Sequence, residues 1–276
     1  MNLIELLKVL FLGLVEGVTE WLPVSSTGHM LLVDEFLQLS GSAEFKEMFF
    51  IVIQLGAIMA VVLLFWKKMF PFQFADKTKP VIVKETFSLW FKVVAACIPG
   101  AVVTILFDDV IEAHLHTPTV IALTLILYGI AFIIVEKWNK KRTPRVAALS
   151  DITYKTAFFI GLFQVLSIIP GTSRSGSTII GALLLGVSRT AAAEFTFFLA
   201  VPVMFGMSAL KLLDFGLAFT GAELTVLLVG MVSAFLVSVA VIRFLMGYIR
   251  KHDFTAFGWY RIVLGAAVLI YFLLIK

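Results

Sequence analysis

Apolar residues run along this chain in long blocks, and polar residues fall in short clusters between them. Six blocks are long enough to cross a hydrocarbon core of about 30 Å at about 1.5 Å per helical residue. The pattern predicts spanning helices near 47–66, 86–107, 119–136, 190–211, 224–247 and 257–275. Two other stretches, 3–39 and 153–187, are apolar but broken by Pro23 and Pro170, with serines and glycines around each. Neither half of such a stretch is long enough to span alone. Irregular backbone at membrane depth is tolerated only where protein or a wet cavity covers it. Both stretches are therefore expected to be re-entrant helix pairs.

Composition supports the membrane reading. Of 276 residues, 61% are hydrophobic and 14% charged, and the mean hydropathy is +1.04. A soluble domain is nearer 45–50% apolar and about 25% charged. The expected class is an all-α polytopic membrane protein, with the lipid bilayer as a partner and no nucleic acid. The apolar N-terminal run contains Glu5 and Lys8 and does not read as a cleavable signal peptide. Cys97, the one cysteine, can form no internal disulfide and is expected to pack as a small residue.

The net charge of +4 matters less than its placement. Lys67, Lys68, Lys77, Lys79 and Lys84 fall in one loop, and Lys137, Lys140, Lys141, Arg142, Arg145 and Lys155 in another. Arg250 and Lys251 mark a third. Asp108 to Thr117 is acidic, and is expected to be an outer loop; His114 and His116 within it are expected to be surface residues rather than metal ligands. Basic loops stay cytoplasmic. That rule makes the first re-entrant pair enter from outside and the second from inside. The chain then reads as an inverted-topology repeat within one integral membrane domain, each half a re-entrant pair plus three transmembrane helices, over 1–136 and 137–276. The segments 13–28 (GLVEGVTEWLPVSSTG) and 161–176 (GLFQVLSIIPGTSRSG) echo each other, and Glu47 and Glu194 follow them at similar distances. Inverted repeats place polar sites near the midplane, where broken half-helices meet.

The two echoing segments carry the candidate chemistry. Charged side chains at a membrane helix centre cost about 2.5–3.5 kcal/mol on insertion scales, so clusters of them mark function. Glu16 and Glu20 are four apart and share a helix face. Two carboxylates so close repel unless a proton or a cation sits between them, and a hard divalent ion with oxygen ligands would satisfy both. The bland reading is a pair that lines a polar cavity. Ser25, Ser26, Thr27 and His29 offer hydroxyls and an imidazole within five residues: a nucleophile and a base, or caps at a proline break. Ser173, Arg174 and Ser175 follow Pro170-Gly171 as an anion cradle, glycines exposing backbone NH groups and arginine forking onto phosphate oxygens. The other reading of Arg174 is an ion pair with Glu16 or Glu20. Gln54 and Glu194 are expected to be supporting polar groups, Ser188 and Arg189 interfacial anchors, and Gly181 and Gly186 sites of close helix packing.

The segments EGVTEWLPVSSTGH (16–29), PGTSRSG (170–176) and GVSRTAAAEFTFFLAVP (186–202) closely resemble the bacterial undecaprenyl-diphosphate phosphatases of the bacitracin-resistance type, over essentially the whole chain. The resemblance implies dephosphorylation of a C55 polyprenyl diphosphate to the monophosphate carrier lipid for peptidoglycan and other envelope polymers. It implies catalysis at the outer side of the bacterial cytoplasmic membrane, assisted by a divalent cation, Mg²⁺ or Ca²⁺. By position, Glu16 and Glu20 match the family's essential glutamates, Ser26 its proposed nucleophile, His29 its catalytic histidine and Arg174 its phosphate-binding arginine. Ser25, Thr27, Ser173, Ser175 and Thr178 match neighbouring polar positions. Attack by Ser26 and direct attack by metal-bound water both remain open, as do a monomer and a homodimer. The competing class is a transporter or flippase of an anionic lipid, because inverted repeats and broken helices are also transporter features.

Overall fold

The computed structural model describes residues 2–74, 78, 80–115, 117–216 and 218–272, without the side chains of 31 and 108–114. Among these residues the chain is helical, its only strand-like pairings being the isolated bridges Phe72–Ile82 and Val146–Val187. Five helical stretches are long and apolar enough to cross a membrane: Ala43–Met69, Lys84–Phe107, Pro118–Asn139, Arg189–Phe215 and Gly221–Tyr248. They contain the first five predicted spans. The sixth corresponds to a shorter helix, Thr255–Ile270 of 16 residues, and the end of that prediction, 273–276, lies outside the described residues.

In chain order, α1 (Leu3–Thr19) and α2 (Ser26–Phe36) flank the first proline break. α3 (Ala43–Val52) and α4 (Gln54–Met69) form one span, joined through Ile53 and kinked at Phe65. α5 (Lys84–Leu115) and α6 (Pro118–Asn139) complete the first half. α7 (Tyr154–Val165) and α8 (Arg174–Leu184) flank the second break, and α9 (Arg189–Phe215), α10 (Gly221–Tyr248) and α11 (Thr255–Ile270) follow. The paired helices α1, α2, α7 and α8 have 17, 11, 12 and 11 residues. At about 1.5 Å per residue, each falls short of a 30 Å core.

Local chemistry sets the ends. Side chains of Asn2, Ser25, Ser42, Ser173 and Ser188 cap α1, α2, α3, α8 and α9. α10 starts on a capping box in which Thr220 and Glu223 satisfy each other's backbone N–H. The acidic stretch 108–117 corrects one expectation. It is not a loop: α5 runs on through it to Leu115. No glycine or proline interrupts 108–115, and Thr117 is extended, its conformation constrained by Pro118 behind it. His116 and the side chain of His114 lie outside the described residues, as do Lys77 and Lys79.

α9 is the central helix, with every residue from 191 to 200 buried. Trp21 of the first break is fully buried and meets Phe197 edge-on at 5.3 Å. Helices pack in pairs: α1 on α10, α7 on α5, α6 on α11, and α9 on α3 and α4. Glycine permits the closest of these approaches. A Cβ at Gly161 would stand 2.2 Å from the Ala96 carbonyl oxygen, and one at Gly56 2.1 Å from that of Met231. Two ion pairs clamp α9 to the α3–α4 span at opposite ends: Lys68 to Glu194 at 2.8 Å, and Lys211 to Glu47. Gln54 has no such role in these pairs, and Gly181 packs on the Phe163 ring. Large apolar side chains such as Ile105, Leu127, Leu210 and Leu213 point outward, as a lipid-facing surface requires.

Candidate active site

The two broken segments meet. Glu20, at the end of α1, receives Ser26 Oγ on one carboxylate oxygen at 2.8 Å and the Arg174 guanidinium on the other at 2.8 Å. The ion pair is largely buried, with side-chain exposures of 8% for Glu20 and 11% for Arg174. Arg174 also donates to the Thr196 carbonyl of α9 at 3.1 Å, and the Met204 sulfur lies 3.6 Å from its second terminal nitrogen. Ser175 donates to the Glu20 backbone carbonyl at 3.3 Å and shares a hydrogen bond with Ser173 at 3.1 Å. Residues 154 positions apart in sequence thus share one carboxylate.

Both turns use the same local device. Among the described residues, Ser25 and Ser173 are the two non-glycine residues with positive φ, at 73° and 72°. Each places its hydroxyl to accept from the backbone N–H three residues on, Gly28 at 3.3 Å and Gly176 at 3.2 Å. A left-handed non-glycine conformation is strained and persists only where its surroundings over-determine it. Here the cap holds it and starts α2 and α8 abruptly, so the next residues, Ser26 and Arg174, present their side chains at the same place on each turn.

Other expected site residues are committed elsewhere. The Ser25 hydroxyl is the cap. Thr27 is exposed. Thr178 is buried and bonds the Arg174 and Ser175 carbonyls and Thr196. His29 does not reach Ser26. Its Nδ1 lies 2.7 Å from the Ser25 carbonyl, which can only accept, so Nδ1 carries the proton. Nε2 then accepts from the Tyr260 hydroxyl at 2.6 Å. Glu194 pairs with Lys68, and Arg189 with the buried Glu136.

Glu16 is 1% exposed, sits beside Glu20 and Arg174, and keeps one carboxylate oxygen without a hydrogen-bond partner. A buried unpaired acceptor of this kind calls for a proton, a water or a cation. The donor set suits a hard divalent ion, whose remaining oxygen ligands would come from water and phosphate. No group of three or more His, Cys, Asp and Glu that could hold a metal occurs among the described residues, so protein ligands alone do not complete such a site.

Arg261 was missed by sequence reasoning. It is fully buried in α11 and donates to the carbonyls of Pro23 at 3.2 Å, Gly171 at 2.8 Å and Thr172 at 2.9 Å. One guanidinium therefore fastens both proline turns. Thr124 of α6 adds a bond to the Pro170 carbonyl at 2.7 Å. Gly171, at φ +86°, has no room for a side chain: a Cβ would lie 2.2 Å from the Thr124 hydroxyl. The available signal was a lone arginine inside an apolar span, which is itself a reason to look for polar partners.

Comparison with known proteins adds to this geometry. A family model described as bacitracin resistance protein BacA matches residues 9–267. An undecaprenyl-diphosphatase of Enterococcus faecalis is 69% identical over 270 residues, 98% of each chain. One from Lachnoclostridium phytofermentans is 64% identical over 276 residues, covering all of both chains. One from Desulfitobacterium hafniense is 62% identical over 274 residues, 99% of this chain and 98% of the relative.

Proposed function

The chain belongs to the bacitracin resistance protein BacA family, and from that membership and the joined turns we infer how it acts: it is a multi-pass bacterial membrane enzyme that hydrolyses undecaprenyl diphosphate to undecaprenyl phosphate and inorganic phosphate. Transport of an anionic lipid, the competing class, is not favoured by relatives named for phosphatase activity. The observation that carries the mechanism is the continuous link Ser26–Glu20–Arg174, which brings a hydroxyl, a carboxylate and a guanidinium to one point.

In this reading Arg174 turns part of its fork onto the terminal phosphate and neutralises charge that grows in the transition state. Glu20 takes the proton as Ser26 Oγ attacks the terminal phosphorus. The bond from that phosphorus to the bridging oxygen breaks, and the lipid monophosphate leaves. Water then cleaves the serine phosphate ester, releasing inorganic phosphate and returning the proton to Ser26. Glu16 and Glu20 would hold a divalent cation, Mg²⁺ or Ca²⁺, which would supply Lewis-acid stabilisation of phosphate charge. His29, on α2 and fixed by Ser25 and Tyr260, serves as a proton relay or a positioning group rather than as the base of Ser26. The unpaired Glu16 oxygen favours one second reading, direct attack by a water that it orients.

The finer architecture belongs to the same proposal. Repeats over 1–136 and 137–276, inverted in the membrane, are supported by the matched serine caps and by the reciprocal ion pairs of α9 with α3 and α4. With basic loops inside, the site opens to the outer side of the cytoplasmic membrane, where the product feeds envelope polymer synthesis.

Purified protein in detergent is expected to release phosphate from C55 polyprenyl diphosphate with Mg²⁺ or Ca²⁺ and to stop with EDTA. Acid quenching during turnover separates the two attacks. Phosphate on the peptide containing Ser26 supports the serine route, and turnover by Ser26→Ala at the wild-type rate rejects it.

A further inference from the structure

A wide cavity lies away from the joined turns. It has a volume of about 970 Å³ and lies between the α6–α7 connection, the α8–α9 turn and the α10–α11 loop. Arg174 starts α8, and Leu183 and Leu184, at its other end, line the cavity. The 11 residues of α8 separate the two places by about 16 Å.

The cavity is strongly cationic. Lys140, Lys141, Arg142, Arg145, Arg189 and Lys251 line it, against the single carboxylate of Asp253. Arg189 is neutralised by Glu136, whose carboxylate also accepts from the Phe254 N–H at 3.0 Å. Among the described residues, the other five cations have no carboxylate within ion-pair distance. Asp253 itself accepts from the Thr255 N–H at 3.0 Å. The arrangement is held rather than loose. The Arg142 guanidinium carbon lies 3.3 Å over the Trp138 ring centroid, which holds the cation at the cavity edge. The backbone N–H groups of Arg145 and Val146 both donate to the Gly186 carbonyl, at 2.8 and 3.1 Å, and Ser188 N–H returns a bond to Val146. The Arg145 side chain lies across Gly186, which at φ +81° turns the chain into α9. The N-terminal end of this 27-residue helix, capped by Ser188, adds a positive dipole to the cavity wall.

Level and lining decide the ligand. The spanning helices α6 and α10 end at Asn139 and Tyr248, both on the cavity wall, so it sits at the depth where lipid headgroups begin. Leu184 and Trp138, about two-fifths exposed, form an apolar edge beside the cations. We propose that this cavity is a second, non-catalytic binding site for the phosphate-monoester headgroup of a membrane lipid. Lysines and arginines hold the doubly charged phosphate, Arg142 in bidentate fashion, while Leu184 and Trp138 receive the start of the acyl or prenyl chain. A zwitterionic headgroup brings no net charge to balance the five cations.

The test measures binding, not turnover, so its failure and that of the phosphatase reading are distinct. Dihexanoyl phosphatidic acid is titrated into detergent-solubilised protein at 0.15 M salt, where long-range surface attraction is screened. The variant Lys141→Gln/Arg142→Gln/Arg145→Gln removes three exposed cavity charges. A control, Lys67→Gln/Lys84→Gln/Lys155→Gln, removes three exposed charges outside it. The cavity variant is expected to bind at least about tenfold more weakly, and the control within about twofold of wild type. Equal binding by cavity variant and wild type overturns the proposal. Equal weakening in both triples reduces it to general surface charge and also overturns it. Inorganic phosphate is titrated in parallel; if it competes as well as the lipid at equal concentration, the lipid assignment is wrong. All substituted residues are exposed, and the single variant Arg142→Gln repeats the test should the triple not fold.

Discussion

The two proline turns have nearly the same backbone and opposite cargo. Ser25 and Ser173 share a φ within a degree of each other and cap the equivalent glycines. Aligning the segments on those glycines sets Glu16 against Gln164, Glu20 against Ile168, Ser26 against Arg174 and His29 against Ser177. The bend is common property, and the ionisable groups are divided: carboxylates on the first arm, guanidinium on the second. Two arms carrying the same charge would repel where they meet in a poorly solvated interior. Two complementary arms attract and close on Glu20. Even the leftover polarity is paired, since Glu16 and Gln164 each keep one buried oxygen without a partner. A shared turn geometry supplies the frame, and the few side chains that differ between the turns supply the chemistry.

This division separates changes that stop turnover from changes that loosen the frame. The largest effect is expected from the cargo. Arg174→Ala should lower kcat/KM by about 10³-fold or more, with the folded protein still recovered, because it removes charge stabilisation in a dry site; phosphate-release assays measure it, and an active Arg174→Ala would break the comparison. Next comes the frame residue shared by both arms. Arg261→Gln leaves carbonyls of both turns unsatisfied and should cost about 2–3 kcal/mol, read as a lower Tm in detergent. Unchanged Tm with lost activity would instead move Arg261 into the chemistry. Gly161→Ala pushes a methyl onto the Ala96 carbonyl and should cost about 1–2 kcal/mol by the same measurement. The smallest effect is expected from Tyr260→Phe, which removes one hydrogen bond to His29, worth about 1 kcal/mol. It should slow turnover by no more than about tenfold, and a larger loss would assign His29 a direct part in proton transfer.

The polar clusters were legible because they are improbable in an apolar chain. The breaks at Pro23 and Pro170, the short helices beside them and the first five spans follow from block length and proline chemistry alone. Glu20 and Arg174 were named from charge and spacing, Ser26 was picked out among neighbouring hydroxyls by the family resemblance, and the ion pair of Arg174 with Glu20 was among the readings weighed. What stayed hidden depends on which way side chains turn. Sequence adjacency suggested that His29 serves Ser26, but on α2 the imidazole faces the Ser25 carbonyl and Tyr260, and Glu20 takes the serine. Thr178 looked available for phosphate, yet a threonine inside a helix can bond back to its own carbonyls, and this one does. The helical course of 108–115 was lost because acidity was read as a loop when no breaker was present. Arg261 lies far from either motif, and nothing local says that its partners include three carbonyls on the two turns.

The most direct measurement is a double-mutant cycle on phosphate release, with Glu20→Gln, Arg174→Gln and the double variant compared with wild type by kcat/KM. A site assembled across the two turns acts as a unit, so the double variant should be about as slow as the worse single one, leaving a coupling of about 1–3 kcal/mol or more. If the two losses simply add, Glu20 and Arg174 work independently, and the composite site is not the catalytic one.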